Sequence, residues 1–215
     1  MLGEIQMTTN EQIERALAEL ESGDVERRAE AIAVLGDAGH HPAALPLSRM
    51  LPDVDPGTRY LIVKALGQIA HSATVEPLLA AMRYDDIWTR AAATSALINI
   101  GTPQAVAGLI DALRDANKAV RRAAAKAIGK IGATDDEQKR DVVRGLSAAL
   151  LDVDEGVRRF AAEALGRVNA TGKVDELTET LRDASAEVRI AAFRALAQID
   201  TPEARSAVRR WAKDQ

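Results

Sequence analysis

The sequence predicts an all-α protein, a right-handed α-solenoid of helical hairpins repeating every 31 residues, and three observations carry that prediction. Arginines stand in one frame at Arg28, Arg59, Arg90, Arg121, Arg158 and Arg189, separated by steps of 31, 31, 31, 37 and 31. Four residues before each comes Asp24, Asp55, Asp86, Asn117, Asp154 or Ser185, residue types whose short polar side chains accept hydrogen bonds from the free amides of a helix's first turn. The 215-residue chain is 47% hydrophobic but only 3% aromatic. Its interior must therefore be built from Ala, Leu, Ile and Val, and Ala is both the strongest helix former and small enough to let helices approach.

Residues 1–23 read as an N-terminal capping helix. Thr8 and Glu11 have the spacing of a capping box, and Ile13, Ala16, Leu17 and Leu20 make an apolar stripe that covers the open end of the stack. Six repeats follow, over 24–54, 55–85, 86–116, 117–153, 154–184 and 185–215. Each first helix starts at the cap column, with Pro56 suited to the first helical position. Its apolar face is drawn by pairs such as Ala65-Leu66, Ala96-Leu97, Ala127-Ile128, Ala164-Leu165 and Ala195-Leu196, followed at helical spacing by Ile69, Ile100, Ile131, Val168 and Ile199. Gly39, Gly101 and Gly132 are the expected left-handed helix ends. Each second helix repeats the pattern, as in Val75, Leu78, Met82; Val106, Leu109, Leu113; Val143, Leu146, Leu150; and Val174, Leu177, Leu181. A glycine column inside the first helices (Gly36, Gly67, Gly129, Gly166) costs roughly 1 kcal/mol per position against Ala, so its recurrence predicts a close helix crossing. The fourth repeat carries six extra residues around Thr134–Glu137, where a capping-box spacing predicts a longer second helix. At the far end, Trp211 takes a column held elsewhere by Ala81, Ala112, Ala149 and Thr180, as a terminal repeat needs in order to cover its exposed face.

The stretches V-R-R-A-A-A-K-A-I-G-K-I-G (Val120–Gly132) and V-R-R-F-A-A-E-A-L-G-R-V (Val157–Val168) resemble the short HEAT-like repeat of the phycobilisome-lyase type, and the resemblance covers nearly all of the chain after Asp24. It implies a HEAT-like solenoid, used as a protein-binding scaffold or, as the alternative, as a bilin lyase subunit or chromophore-handling accessory protein. HEAT-like di-iron hydroxylases carry His-Glu pairs on their helices, and this chain has no His-Glu dipeptide.

Little else in the sequence speaks of chemistry. There is no cysteine, which removes disulfides, thiolate metal sites and cysteine nucleophiles together. No G-x-S-x-G, phosphate-binding loop or dinucleotide fingerprint occurs. His40, His41 and His71 lack the further ligands a metal site needs, and the carboxylates Asp53, Asp115, Asp152 and Asp183 recur with the scaffold, six residues before their arginines. They read as partners of the arginine column, a ladder of Asp–Arg contacts between repeats. No catalytic residue, metal or cofactor is expected. A net charge of −4 and a pI near 5.5 give no overall positive field for nucleic acid or an anionic membrane. With no long apolar run and no signal-peptide pattern at the start, the expectation is a cytoplasmic protein whose partner is another protein.

Two features stand out as candidate contacts. Tyr84 replaces the recurrent Asp, and Trp88 stands where other repeats place Glu26, Gly57, Ala119, Gly156 and Glu187. The pair is either stacked as local packing or exposed as an interface anchor, the role for which Trp and Tyr are favoured. The second helices, expected to line the concave face, offer Glu76, Leu79, Arg83, Ile110 and Arg114 as further partner-binding residues, with Leu79 and Ile110 as an apolar centre rimmed by the arginines.

Overall fold

The computed structural model describes residues 2–213, with side chains from residue 10 onward. Among the described residues there are thirteen α-helices and no strand, one leading helix and six pairs. They are α1 (Leu2–Glu19), α2 (Val25–Asp37), α3 (Ala44–Met50), α4 (Pro56–Ile69), α5 (Val75–Ala81), α6 (Ile87–Ile100), α7 (Val106–Ala112), α8 (Lys118–Ile131), α9 (Asp136–Ala149), α10 (Glu155–Arg167), α11 (Val174–Thr180), α12 (Ala186–Ile199) and α13 (Pro202–Lys213). The chain divides after Thr102 into two compact units, one holding α1–α6 and one holding α7–α13. The division falls between the two helices of the 86–116 repeat.

The cap column works as drawn at five of six positions: Asp24, Asp55, Asp86, Asn117 and Asp154 each accept a backbone N–H of the following turn. Ser185 makes no such bond. Each first helix then ends eleven residues after its arginine or close to it, and the residue there has positive φ throughout: Gly39, Gly101 and Gly132, but also Ala70, Asn169 and Asp200. The repeat thus calls for a positive φ here, and only half the repeats meet it with the residue that adopts it without steric cost; Gly132, expected as a left-handed end, combines its positive φ with ψ −154° and leaves the left-handed region, a conformation open to glycine alone.

Inside the first helices the glycine column has the predicted cause. A Cβ placed on Gly36, Gly67, Gly129 or Gly166 would sit within 3.0 Å of the Ala Cβ on the next first helix (Ala65, Ala96, Ala164 and Ala195, respectively). Gly against Ala brings α2 to α4, α4 to α6, α8 to α10 and α10 to α12 at backbone contact. The core behind them consists of fully buried Ile32, Leu35, Leu47, Ile62, Leu66, Leu78 and Leu97 in the first unit and Leu109, Ile128, Leu146, Leu165, Leu177 and Leu196 in the second.

Several expectations need correction. Helix α1 begins at Leu2, so Thr8 lies within it and caps nothing from its start; the side chain of Thr8 is outside the described residues, whereas Ala16 and Leu20 are buried as expected. Met82, Ile100, Ile131 and Val143 are only half-buried, and Val142 takes the core position on α9. Helix α9 is indeed the long one, 14 residues against 7 in α3, α5, α7 and α11. Its cap is Asp135, however, which accepts from Gln138 N–H, while Gln138 Oε1 accepts from Thr134 N–H in return. The box is Asp135/Gln138, one residue later than the Thr134/Glu137 spacing suggested, because Asp135 has the extended backbone that a cap requires. Trp211 is half-buried rather than buried. Its ring lies 5.1 Å from Phe193 and its Nε1–H donates to Leu181 O at 3.1 Å, so the terminal cap is in place with the polar edge of the indole satisfied.

Candidate protein-binding surface

Each arginine of the frame is tied to its own turn: Arg90 donates to Tyr84 O and Asp85 O, Arg121 to Asp115 O and Ala116 O, Arg158 to Asp152 O and Val153 O, Arg189 to Asp183 O and Ala184 O. The remaining guanidinium edge reaches the turn that closes the repeat, just before the following first helix. Arg121 binds Asp152 through two hydrogen bonds of 2.7 and 2.8 Å, and Arg158 binds Asp183 through two of 2.7 and 2.9 Å. The Arg158 guanidinium holds the Asp183 carboxyl below its usual range. Burial pushes Asp152 upward, but the bonds from Arg121 outweigh it and leave Asp152 lowered as well. This is the expected ladder.

Tyr84 belongs to the same ladder. Its ring lies under the Arg59 guanidinium at 4.0 Å, where the other repeats supply a carboxylate, and the Arg59 contact with Asp86 is a looser 3.6 Å. The substitution exchanges a titratable ion pair for a cation–π contact. Among the described residues Tyr84 and Trp88 do not stack on each other, and Trp88 is 74% exposed.

Trp88 instead forms one wall of a trough of about 360 Å³ between α4 and α6. Tyr60, Lys64 and Gln68 rise from α4 at spacing four, while Trp88, Ser95 and Asn99 rise from α6. The floor is Gly67, Ala91, Ala92 and Ala96, kept shallow and smooth by the Gly67–Ala96 approach. Two amides are held in place: Gln68 donates to Asp37 Oδ1 at 2.7 Å and Asn99 donates to Gly67 O at 3.2 Å. Tyr60, Lys64, Gln68 and Asn99 were not among the expected contacts. The signal that finds them is variation within the repeat itself, since the position after the frame arginine reads Ala29, Tyr60, Ala91, Arg122, Arg159 and Ile190. A column that changes while the scaffold repeats is free of scaffold duty.

The other expected contacts do not line the trough. Glu76 is exposed and Leu79 half-buried on α5 of the first unit, with Arg83 exposed in the turn that follows it; Ile110 is half-buried on α7 of the second unit, with Arg114 exposed in the turn after it. Ile110, Arg114, Gln138 and Arg144 line a groove of about 540 Å³ between α7 and the lengthened α9.

In the second unit the positions of Tyr60 and Trp88 are taken by Arg122 and Gly156. Arg122 lies flat over Gly156, so close that a Cβ there would meet its Nε at 2.5 Å, and it binds Asp154 through bonds of 2.5 and 2.6 Å. Those bonds hold the Asp154 carboxyl down at about 2. The same frame thus gives an open aromatic trough in one unit and a closed ion pair in the other.

Among the described residues no group of three or more His, Cys, Asp or Glu side chains is placed to hold a metal ion, and no helix is long and apolar enough to cross a membrane. The profile of HEAT repeats matches residues 13–98, 75–147 and 143–215, nearly the full length of the chain. The chain is a HEAT-repeat protein. No curated protein sequence is significantly similar to it. Solved structures with the same fold include a designed armadillo repeat protein in complex with the peptide (KR)4 (TM-score 0.69, 20% identity, covering 88% of this chain and 100% of that one). The complex of CpcE and CpcF of phycocyanin lyase from Nostoc sp. PCC7120 is also similar (TM-score 0.62, 22% identity, 89% and 78%), as is YibA of Escherichia coli (TM-score 0.69, 18% identity, 95% and 82%). At these identities the likeness speaks for the HEAT-repeat fold alone.

Proposed function

We propose that this HEAT-repeat protein is a non-catalytic interaction module, and that the trough between α4 and α6 receives an apolar side chain of a partner protein. The observation that carries the reading is Trp88, a large indole at the mouth of a small-residue trough and 74% exposed, where every other repeat manages with a small or charged residue. Covering it offers on the order of 4 kcal/mol of gross hydrophobic gain. Association costs roughly 4–15 kcal/mol before any net affinity appears, so the indole acts with its neighbours. Tyr60 supplies a second ring, Gln68 and Asn99 supply oriented amides, and the alanine floor admits a flat contact. Peptide and protein complexes among the similar folds support the reading.

The test is Trp88→Ala measured against the partner recovered by affinity capture from the native host. Binding should weaken by at least about 2 kcal/mol, roughly thirtyfold, with the melting temperature unchanged. A large fall in melting temperature, or undiminished binding, overturns it. The alternative, a bilin lyase subunit or chromophore-handling accessory, draws support from the likeness to phycocyanin lyase; recovery of phycobiliproteins in the same capture would favour it.

A further inference from the structure

We propose that the first-helix face of the second unit, centred on Lys126 and Lys130 of α8, docks an acidic segment of a partner protein. The inference concerns a different unit and a different chemistry from the trough, and it stands whether or not Trp88 is an anchor.

Helix α8 presents Lys118, Arg122, Lys126 and Lys130 at spacing four, hence on one face. Like charges at that spacing disfavour the helix that carries them, so the row is not there for the stability of α8. Arg122 is consumed by Asp154. Lys126 and Lys130 are exposed and make no hydrogen bond or ion pair among the described contacts. The helix C-terminus accounts for a cation at Lys130, but not for one at Lys126 in mid-helix. On α12, Arg194 is likewise exposed and unpaired, and on α10 Arg167 has only a 3.9 Å contact with Glu163.

The occupant follows from the charge pattern. The chain as a whole is negative, yet from Pro103 onward it carries 20 Lys and Arg against 18 Asp and Glu, compared with 8 against 14 up to Thr102. The whole-chain charge conceals this asymmetry. The face is not a uniform positive field, because Asp154, Glu155, Glu163 and Glu187 lie among the cations on α10 and α12. A continuous phosphate backbone would bring charge against those carboxylates, whereas a peptide can set its Asp and Glu opposite Lys126, Lys130 and Arg194 and leave small residues elsewhere.

The experiment titrates a fluorescein-labelled (Glu-Ser)6 peptide with the full chain by anisotropy at 50 and 150 mM NaCl. Saturable binding, weakened several-fold by the higher salt as exposed charges require, is expected. Lys126→Glu/Lys130→Glu should lose at least tenfold, and Lys126→Gln/Lys130→Gln should show an intermediate loss. Arg209→Glu/Arg210→Glu, the same charge change on α13, should stay within twofold, and Trp88→Ala should bind the peptide like the unmodified chain. The proposal is overturned if the Lys126/Lys130 variants bind undiminished, or if the α13 variant loses as much. It is equally overturned if a twelve-base oligouridine occupies the same lysines more tightly than the peptide, or if sedimentation shows that a second copy of the chain covers the face.

Discussion

The pair Tyr60–Trp88 in the first unit and the pair Arg122–Gly156 in the second occupy the same two positions of the repeat, on helices brought together by the same Gly–Ala contact. One pair leaves a trough with two rings at its rim; the other closes on itself through Asp154. The difference lies wholly in side chains that the scaffold does not need, which is how a repeat of nearly constant backbone comes to offer two surfaces of opposed chemistry. The ladders beneath differ in the same sense. The second unit is joined by doubly bonded Arg–Asp pairs, and the first by Arg59 over the ring of Tyr84.

If only the surface differs, breaking the shared scaffold must hurt both units alike. Ala65→Asp and Ala127→Asp each place an unpaired carboxylate at a position no more than 1% exposed and should each cost about 3–5 kcal/mol. Asp136→Ser, on the exposed first turn of α9, should cost under about 0.5 kcal/mol. Denaturant unfolding of the three variants compares them; equal midpoints for the buried and exposed changes would show the core to be misplaced.

Acid should separate the two ladders. Asp152, Asp154 and Asp183 are held below the ordinary carboxylate range in the folded chain, so their contribution is complete above the unfolded value near 4 and is lost as pH falls below it through their lowered values, about 2 for Asp154. Tyr84 offers no carboxylate to protonate at the corresponding place, and in the first unit the lowered carboxylate is the α4 cap Asp55, held by Thr58 and not by an arginine. Hydrogen exchange should therefore show protection constant from pH 7 to about 5, then falling below pH 4 earlier in α8–α12 than in α4–α6. Simultaneous loss in both would count against the distinction.

A smaller effect tests the helix ends. Ala70 holds φ +52°, a conformation that in the second unit falls to Asn169 and Asp200, residues that tolerate it better. Ala70→Gly should stabilise the first unit by about 1 kcal/mol or less, net of the entropy glycine adds to the unfolded chain. A lower melting temperature would refute the strain.

Smallest in stability, but sharpest for the comparison, is Gly156→Trp. The new side chain displaces Arg122 from Asp154. The helix gains what glycine withheld, about 0.5–1 kcal/mol, against the loss of a partly exposed ion pair of similar size, so the melting temperature should scarcely move. The Asp154 titration, followed by NMR, should rise from about 2 by roughly half a unit, in step with that loss, because the bond from Val157 N–H remains; an unchanged midpoint would mean that Arg122 does not lower it.

The sequence by itself determined the hairpin, its period, most of its caps and the bulk of its core, because each is written in local spacing: a cap four residues before an arginine, apolar pairs at helical intervals, a recurrent glycine inside the first helices. It also determined that Tyr84 and Trp88 depart from the frame. What they depart towards was decided only when helices far apart in sequence came side by side. Tyr84 meets Arg59, 25 residues earlier, and is drawn into the ladder. Trp88 meets Tyr60, 28 residues earlier, across a floor of small side chains. Arg122 finds Asp154 32 residues later. Such partners share no helical turn with one another, so no local pattern records them. Their contact depends on which face of one first helix lies against the next, and that is set by the Gly–Ala packing of the folded chain.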